Sequence, residues 1–211
     1  MRFCFALLAL LTFAQAATAR DFVVGREERA LIIIGVAEQA NEAEPAYSML
    51  WRRVTDDGTF GEWDEDVSFE ARTSDDDTVR VRGLPGEFTF VEAPPGTYAL
   101  DSVFAEIEER GLRYFANGAV VGPARPSFEV AAGEAVYLGI WLVQMDTSHA
   151  VATASLWRLD GADARAAVGP SEDIEGQVRV RETRPLDVPC TPRRMGMSRR
   201  EICSVAKAPP E

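Results

Sequence analysis

Three groups of residues in this chain have side chains of the types that chemistry uses. The first is His149, the sole histidine, with Ser148 beside it and Asp146 three positions before. A nucleophilic triad needs a serine, a base and an orienting acid that meet in space. Neighbours on a strand point to opposite faces, so Ser148 and His149 cannot pair with each other. No G-x-S-x-G elbow surrounds any other serine. The favoured reading is an exposed loop histidine, and no catalytic residue is assigned.

The second group is acidic: Asp56-Asp57, Asp64-Glu65-Asp66 and Asp75-Asp76-Asp77. Hard cations such as calcium take several oxygen ligands. Asp57, Asp64, Asp66, Asp75 and Asp77 would make a weak calcium site if their three turns met. The D-x-[DN]-x-[DN]-G spacing is missing, and solvated acidic loops are the favoured reading. The sequence asks for no metal and no cofactor. A carboxylate pair for glycoside hydrolysis could be drawn from many of these acids, but nothing selects two of them.

The third group lies near the C-terminus. Cys190 and Cys203 enclose Arg193, Arg194, Arg199 and Arg200, with Met195 and Met197, against the single acid Glu201. In an oxidising compartment such a pair reads as a disulfide. Closing a loop of that size stabilises by about 3 kcal/mol in the chain-entropy view. Metal ligation and redox chemistry have no support, because no CxxC and no nearby histidine exist. The four arginines read in one of two ways. They form a partner-binding loop for an anionic envelope component or an acidic protein surface, or they clamp onto acids of their own domain. An acidic body offers its own partners at high effective concentration, which favours the clamp.

The compartment is read from the N-terminus. Met1-Arg2 is a short positive segment, Phe3 to Phe13 is apolar, and small residues follow to Ala19. This is the layout of a secretory signal peptide over 1–19, with cleavage expected before Arg20. The apolar run is shorter than the roughly 20 residues a spanning helix needs. No membrane span is expected after cleavage. The net charge is −12, and loss of Arg2 takes it to −13. That balance argues against nucleic acid as a partner and favours solubility. A periplasmic or secreted location is expected.

The elements that must position these groups are strands. Leu31 to Ile34 is β-branched and apolar on both faces, as a buried strand would be. Tyr47 to Val54, Val67 to Phe69, Thr78 to Arg82, Glu87 to Phe90, Thr97 to Phe104 and Ser127 to Val130 follow. Turns are expected at Thr55–Gly58, Gly83–Gly86, Ala93–Gly96 and Ala131–Glu134. Ala135 to Val143 is the most apolar strand and belongs at a sheet centre. Val151 to Leu159 is expected as a strand with Trp157 as a core anchor, and Asp160 to Val168 as one or two helical turns. Val178 to Arg181 alternates and would close a sheet edge, its arginines guarding against edge pairing. The fold class expected is all-β, a single antiparallel β-sandwich over 29–184. A lead-in precedes it over 20–28, and an irregular, disulfide-stapled segment follows over 185–211. Phe88, Phe90, Tyr98, Leu100, Phe104, Phe128, Leu138, Ile140 and Trp157 are expected between its sheets.

Two segments carry a resemblance. Pro94-Pro95-Gly96-Thr97-Tyr98-Ala99-Leu100 resembles the PPGTYxL hairpin of prealbumin-like (transthyretin-like) sandwiches and of carboxypeptidase regulatory-like modules. Phe128 to Gly139 is similar to the F-x-V-x-x-G-E-x-x-Y-L-G stretch of small exported bacterial domains of that architecture. Together they cover about a third of the expected mature chain. The resemblance implies a sandwich fold and export, and it carries no catalytic residue. The function expected is therefore an exported non-enzymatic binding or envelope-structural module. The alternative is a hydrolase acting on cell-envelope material with loop carboxylates. Sandwiches host both.

Overall fold

The computed structural model describes residues 22–40, 44–61, 68–73, 79–109, 112–119, 124–146, 151–169 and 174–189. The expected leader, Asp64, Asp66, Asp75, Asp77, Ser148, His149, Cys190, Cys203 and the arginines from Arg193 to Arg200 lie outside the described residues. So do the expected disulfide and partner-binding loop.

In chain order the first half forms β1 (Phe22–Val23), β2 (Ala30–Glu38), β3 (Ala46–Val54), β4 (Ser68–Arg72), β5 (Val79–Val81), β6 (Leu84–Ala93) and β7 (Gly96–Glu109). The second half forms β8 (Leu112–Ala119), β9 (Ala124–Val130), β10 (Ala135–Asp146), β11 (Val151–Arg158), α1 (Gly161–Val168), β12 (Ile174–Glu175), β13 (Arg179–Val180) and β14 (Arg184–Asp187). One sheet runs β11-β10-β2-β6-β5, with β13 also on β10. The other runs β14-β9-β7-β3-β4, with β8 also on β7. The short strands β1 and β12 pair with each other.

The two sheets share one core. The first contributes Ile32, Ile34, Val36, Leu138 and Trp141; the second contributes Tyr47, Met49, Trp51, Tyr98 and Phe128. Trp51 sits at the centre with no exposed surface. The Phe128 and Trp141 rings meet it edge-on at 5.3 and 5.6 Å, a geometry favoured by the aromatic quadrupole. This is the all-β architecture expected, with two sheets packed face to face.

The sheets are not wholly antiparallel, however. β2 and β10 pair in parallel, and so do β10 and β13. The cause is the route of the chain. β9 belongs to the second sheet, and the turn at 131–134 carries the chain across to β10 in the first. No hairpin joins β10 to β2, so nothing forces opposed directions. A similar crossing lies between β6 and β7. Pro94 and Pro95 cannot donate to a ladder, and the chain changes sheets there. The Tyr98 hydroxyl donates to the Pro94 carbonyl at 2.7 Å and ties the corner.

A third layer covers the outer face of the first sheet. α1, β1 and β12 lie over Leu31, Ile33, Tyr137 and Ile140. β2 is therefore buried on both faces, as its apolar run requires. β10 meets the same demand through a bulge. Its register against β2 shifts between Tyr137 and Ile140, and Gly139 holds φ +88°. The inserted residue lets Leu138 and Trp141 both face the inner core, while Tyr137 and Ile140 both face the outer layer.

Strand parity corrects several core expectations. Tyr98, Leu100, Phe128 and Leu138 lie between the sheets as expected. Trp157 does not: it is 39% exposed. The inward residues of β11 are Ala152 and Ala154, so alternation sends Trp157 outward. On β6 the inward residues are Val91 and Ala93, which puts Phe88 and Phe90 on the outer face. Phe88 packs across Gly35, where a Cβ would come within 2.9 Å of its ring. Phe90 is 44% exposed. Ile140 belongs to the outer layer, and Phe104 pairs with Leu50 apart from the main core. The turn expected at Gly83–Gly86 falls earlier, at Arg82 and Gly83, with φ +53° and +90°. The C-terminal part is also more regular than expected. Pro185 lies within β14, whose register runs Arg184↔Ser127 to Asp187↔Ala124, and Val188 is fully buried. The pyrrolidine is tolerated because β14 is an edge strand.

Candidate functional site

The site is built where α1 runs beside the segment leading into β13. Asp160 starts the helix: its carboxylate accepts the Ala162 N–H at 2.8 Å, the N-cap role for which aspartate is suited. Gly169 ends it with a positive φ, its N–H donating to the Arg165 carbonyl at 3.0 Å. Ala164 packs down onto the sheet, with Ala167 and Val168 against the same outer layer.

One buried charge fixes the helix in place. Asp163 is 1% exposed. Its carboxylate accepts from Arg158 Nε at 3.0 Å and from Arg82 Nε. Arg158 ends β11 and Arg82 sits in the β5–β6 turn, so three elements meet at one carboxylate. Burial by itself would raise the Asp163 pKa. The hydrogen bonds and charges of Arg158 and Arg82 outweigh that, and it lies below the ordinary carboxylate value. The Tyr137 hydroxyl is buried nearby, pushed well above its ordinary value by burial and by the charge of Asp163.

Between α1 and β13 a groove of about 920 Å³ remains. Ala164, Val168, Val178 and Val180 supply its apolar surface, and Arg165 and Arg179 its charge. Gly161, Gly169 and Gly176 also line it and present no side chains. A Cβ placed on Gly161 would lie 3.7 Å from Val180 Cγ2 and 3.8 Å from Arg165 Nη1. The side chains of Arg165 and Val180 therefore converge at the start of the helix. The opposite wall is held by Glu134. Its carboxylate accepts from Arg181 and from the Ala131 N–H, the latter at 3.1 Å. Arg179 stands 3.8 Å from the same carboxylate and is 70% exposed. Among the described residues the lining contains no acid, histidine, cysteine or hydroxyl, and Gln177 is its one uncharged polar side chain. The described groups are of the kind that bind and orient a ligand.

A second buried charge cluster lies on the outer face of the other sheet. Asp101 stands 3.5 Å from Arg52 Nη1 and 3.7 Å from Arg125 Nη1. Both guanidiniums lie over the Phe60 ring, at 4.9 and 5.1 Å from its centroid. Arg125 also donates to the carbonyls of Leu100, Asp101 and Val188. Burial lowers its pKa more than Asp101 restores it. This cluster anchors the end of β14 to the sheet. The clamp expected of Arg193, Arg194, Arg199 and Arg200 lies outside the described residues; Arg125 ties Val188 to the sheet independently of it.

Of the calcium candidates, Asp57 is the one described. Its Oδ1 accepts from the Thr55 hydroxyl and from the Thr59 N–H and hydroxyl, the last two at 3.2 and 2.8 Å. The oxygen is used to close a turn. Those bonds, led by that from Thr55, hold its pKa below the ordinary value. Among the described residues no three acidic, histidine or cysteine side chains gather as a metal site requires. Asp146 closes β10.

The groove residues were not foreseen as a site. Arg179 and Val180 were read as an alternating edge strand, and Arg165 as part of a short helix. The legible signal is Arg165 within an alanine-rich short helix and Arg179 beside Val178 and Val180. No family model, curated protein or solved structure matches this chain.

Proposed function

We propose that this chain is an exported, non-enzymatic binding module whose ligand occupies the groove between α1 and β13. The observation that carries the reading is the described lining itself: apolar side chains from both elements together with two arginines and Gln177. The groove falls within the roughly 300–1,000 Å³ of small-molecule sites. Its floor is anchored to the layers beneath by Asp163 and Glu134, so the site is preformed and little ordering opposes binding. Export is supported by the leader-like N-terminal residues, and by the resemblance of 94–100 and 128–139 to exported prealbumin-like domains.

The test is a thermal-shift screen of small molecules against the wild type and Gly161→Leu. Gly161 has no positive φ, and a Cβ there makes ordinary contacts, so a longer side chain enters the groove without backbone strain. A ligand at 100 times its Kd raises stability by about 2.7 kcal/mol. Ligands are expected to raise the wild-type Tm and to leave Gly161→Leu unchanged. Ligands that stabilise both proteins equally would place binding elsewhere and refute the reading.

A further inference from the structure

We infer that the ligand of this groove is an anionic amphiphile, an unbranched aliphatic chain ending in a carboxylate; this rests on reading the groove as the ligand site. The first argument is charge. The chain carries −12 overall, yet no acid is among the described residues that line the groove. Among the described residues Arg165 forms no ion pair, and one of its guanidinium nitrogens comes within 3.8 Å of where a Gly161 Cβ would stand. Arg179 is held only loosely, because Glu134 is already bonded to Arg181 and to the Ala131 N–H. Two arginines beside apolar side chains suit one carboxylate, which accepts charge-assisted hydrogen bonds from a guanidinium.

The second argument is shape. Val180 is 43% exposed, and Val178, Ala164 and Val168 continue the apolar surface from it. Gly161, Gly169 and Gly176 add no side chains of their own to that surface. An extended peptide would need a sheet edge to pair with, and β13 offers only Arg179–Val180. An aliphatic chain has no backbone groups to satisfy, and so fits where a peptide does not. Each buried methylene tightens binding by up to roughly fourfold, until the groove is full.

The experiment follows the backbone amides of Gly161, Gly169 and Gly176 by ¹⁵N NMR in the full exported chain. The probes are decanoate, decanol and a hexapeptide of alternating Glu and Val. Decanoate is expected to shift the three amides saturably, and dodecanoate to bind more tightly. Decanol should bind about tenfold more weakly, as should decanoate to the Arg165→Gln/Arg179→Gln variant, since each loses a charge-assisted hydrogen bond. Both arginines are exposed, so that variant keeps its fold; Gly161→Leu should abolish the shifts. Equal binding of decanoate and decanol would overturn the anionic class while leaving the groove as the site. So would peptide binding at these glycines without decanoate binding. Shifts confined to other residues, or none with any probe, would overturn both the ligand class and the groove.

Discussion

Asp163 shows how a single carboxylate organises a neighbourhood. Arg82 takes a left-handed backbone conformation that side chains other than glycine adopt at a cost of about 1 kcal/mol. It is retained where its guanidinium reaches Asp163 from the β5–β6 turn. Replacing Asp163 with Ala leaves two arginines facing one another without their acid. Breaking a buried pair costs roughly 3–5 kcal/mol, but Arg82 and Arg158 are 47% and 36% exposed and can turn to water. A loss of about 2–3 kcal/mol is therefore expected, read as a lower urea midpoint. The same residue sets a pH dependence. Its folded pKa is depressed, so its contribution is present above the unfolded value of about 4 and is lost as pH falls through the folded value. The acid limb of stability should be shallower in Asp163→Asn than in the wild type; identical limbs would remove Asp163 from this role. Sequence reading could weigh residue types, but it had no means to see that residues 82, 158 and 163 meet, because their approach depends on a turn, a strand end and a helix packed from three parts of the chain.

At the scale of elements, strand identity was legible and strand parity was not. Leu31 to Ile34 and Ala135 to Val143 announced buried strands by being apolar on both faces, and both are central. The aromatic residues misled, because large side chains were assumed to point inward. Where a third layer covers one sheet, the outer face also takes Phe88 and Ile140, and the alanines of β11 serve as the inward set. The bulge at Gly139 was invisible to alternation. A Cβ there would stand 2.4 Å from the Arg158 carbonyl at φ +88°, so Gly139→Ala should cost about 3 kcal/mol or more, measured by chemical denaturation. α1 was legible from Asp160 and its alanines. Asp160→Ala should cost about 1 kcal/mol by removing the cap. It should also loosen the groove, seen as faster amide exchange at Ala162 and Asp163 with the core strands unchanged.

For the whole molecule, three assemblies of side chains divide the work. The inner core around Trp51 holds the two sheets together, the outer layer carries the helix that walls the groove, and the arginine cluster at Asp101 fastens β14. Export is the remaining expectation at this scale. Expressed with its leader, the protein should be recovered from the envelope fraction with Arg20 at its N-terminus, as mass spectrometry of the intact chain would show; a retained Met1 would dismiss it. The ligand site is tested most directly by photolabelling with a decanoate analogue bearing a diazirine at its far end, followed by peptide mapping. The account predicts label on Ala164 to Val168 and on Val178 to Val180, lost when unlabelled decanoate is in excess. Label spread over the chain, or concentrated on strands away from α1 and undiminished by the competitor, would contradict it.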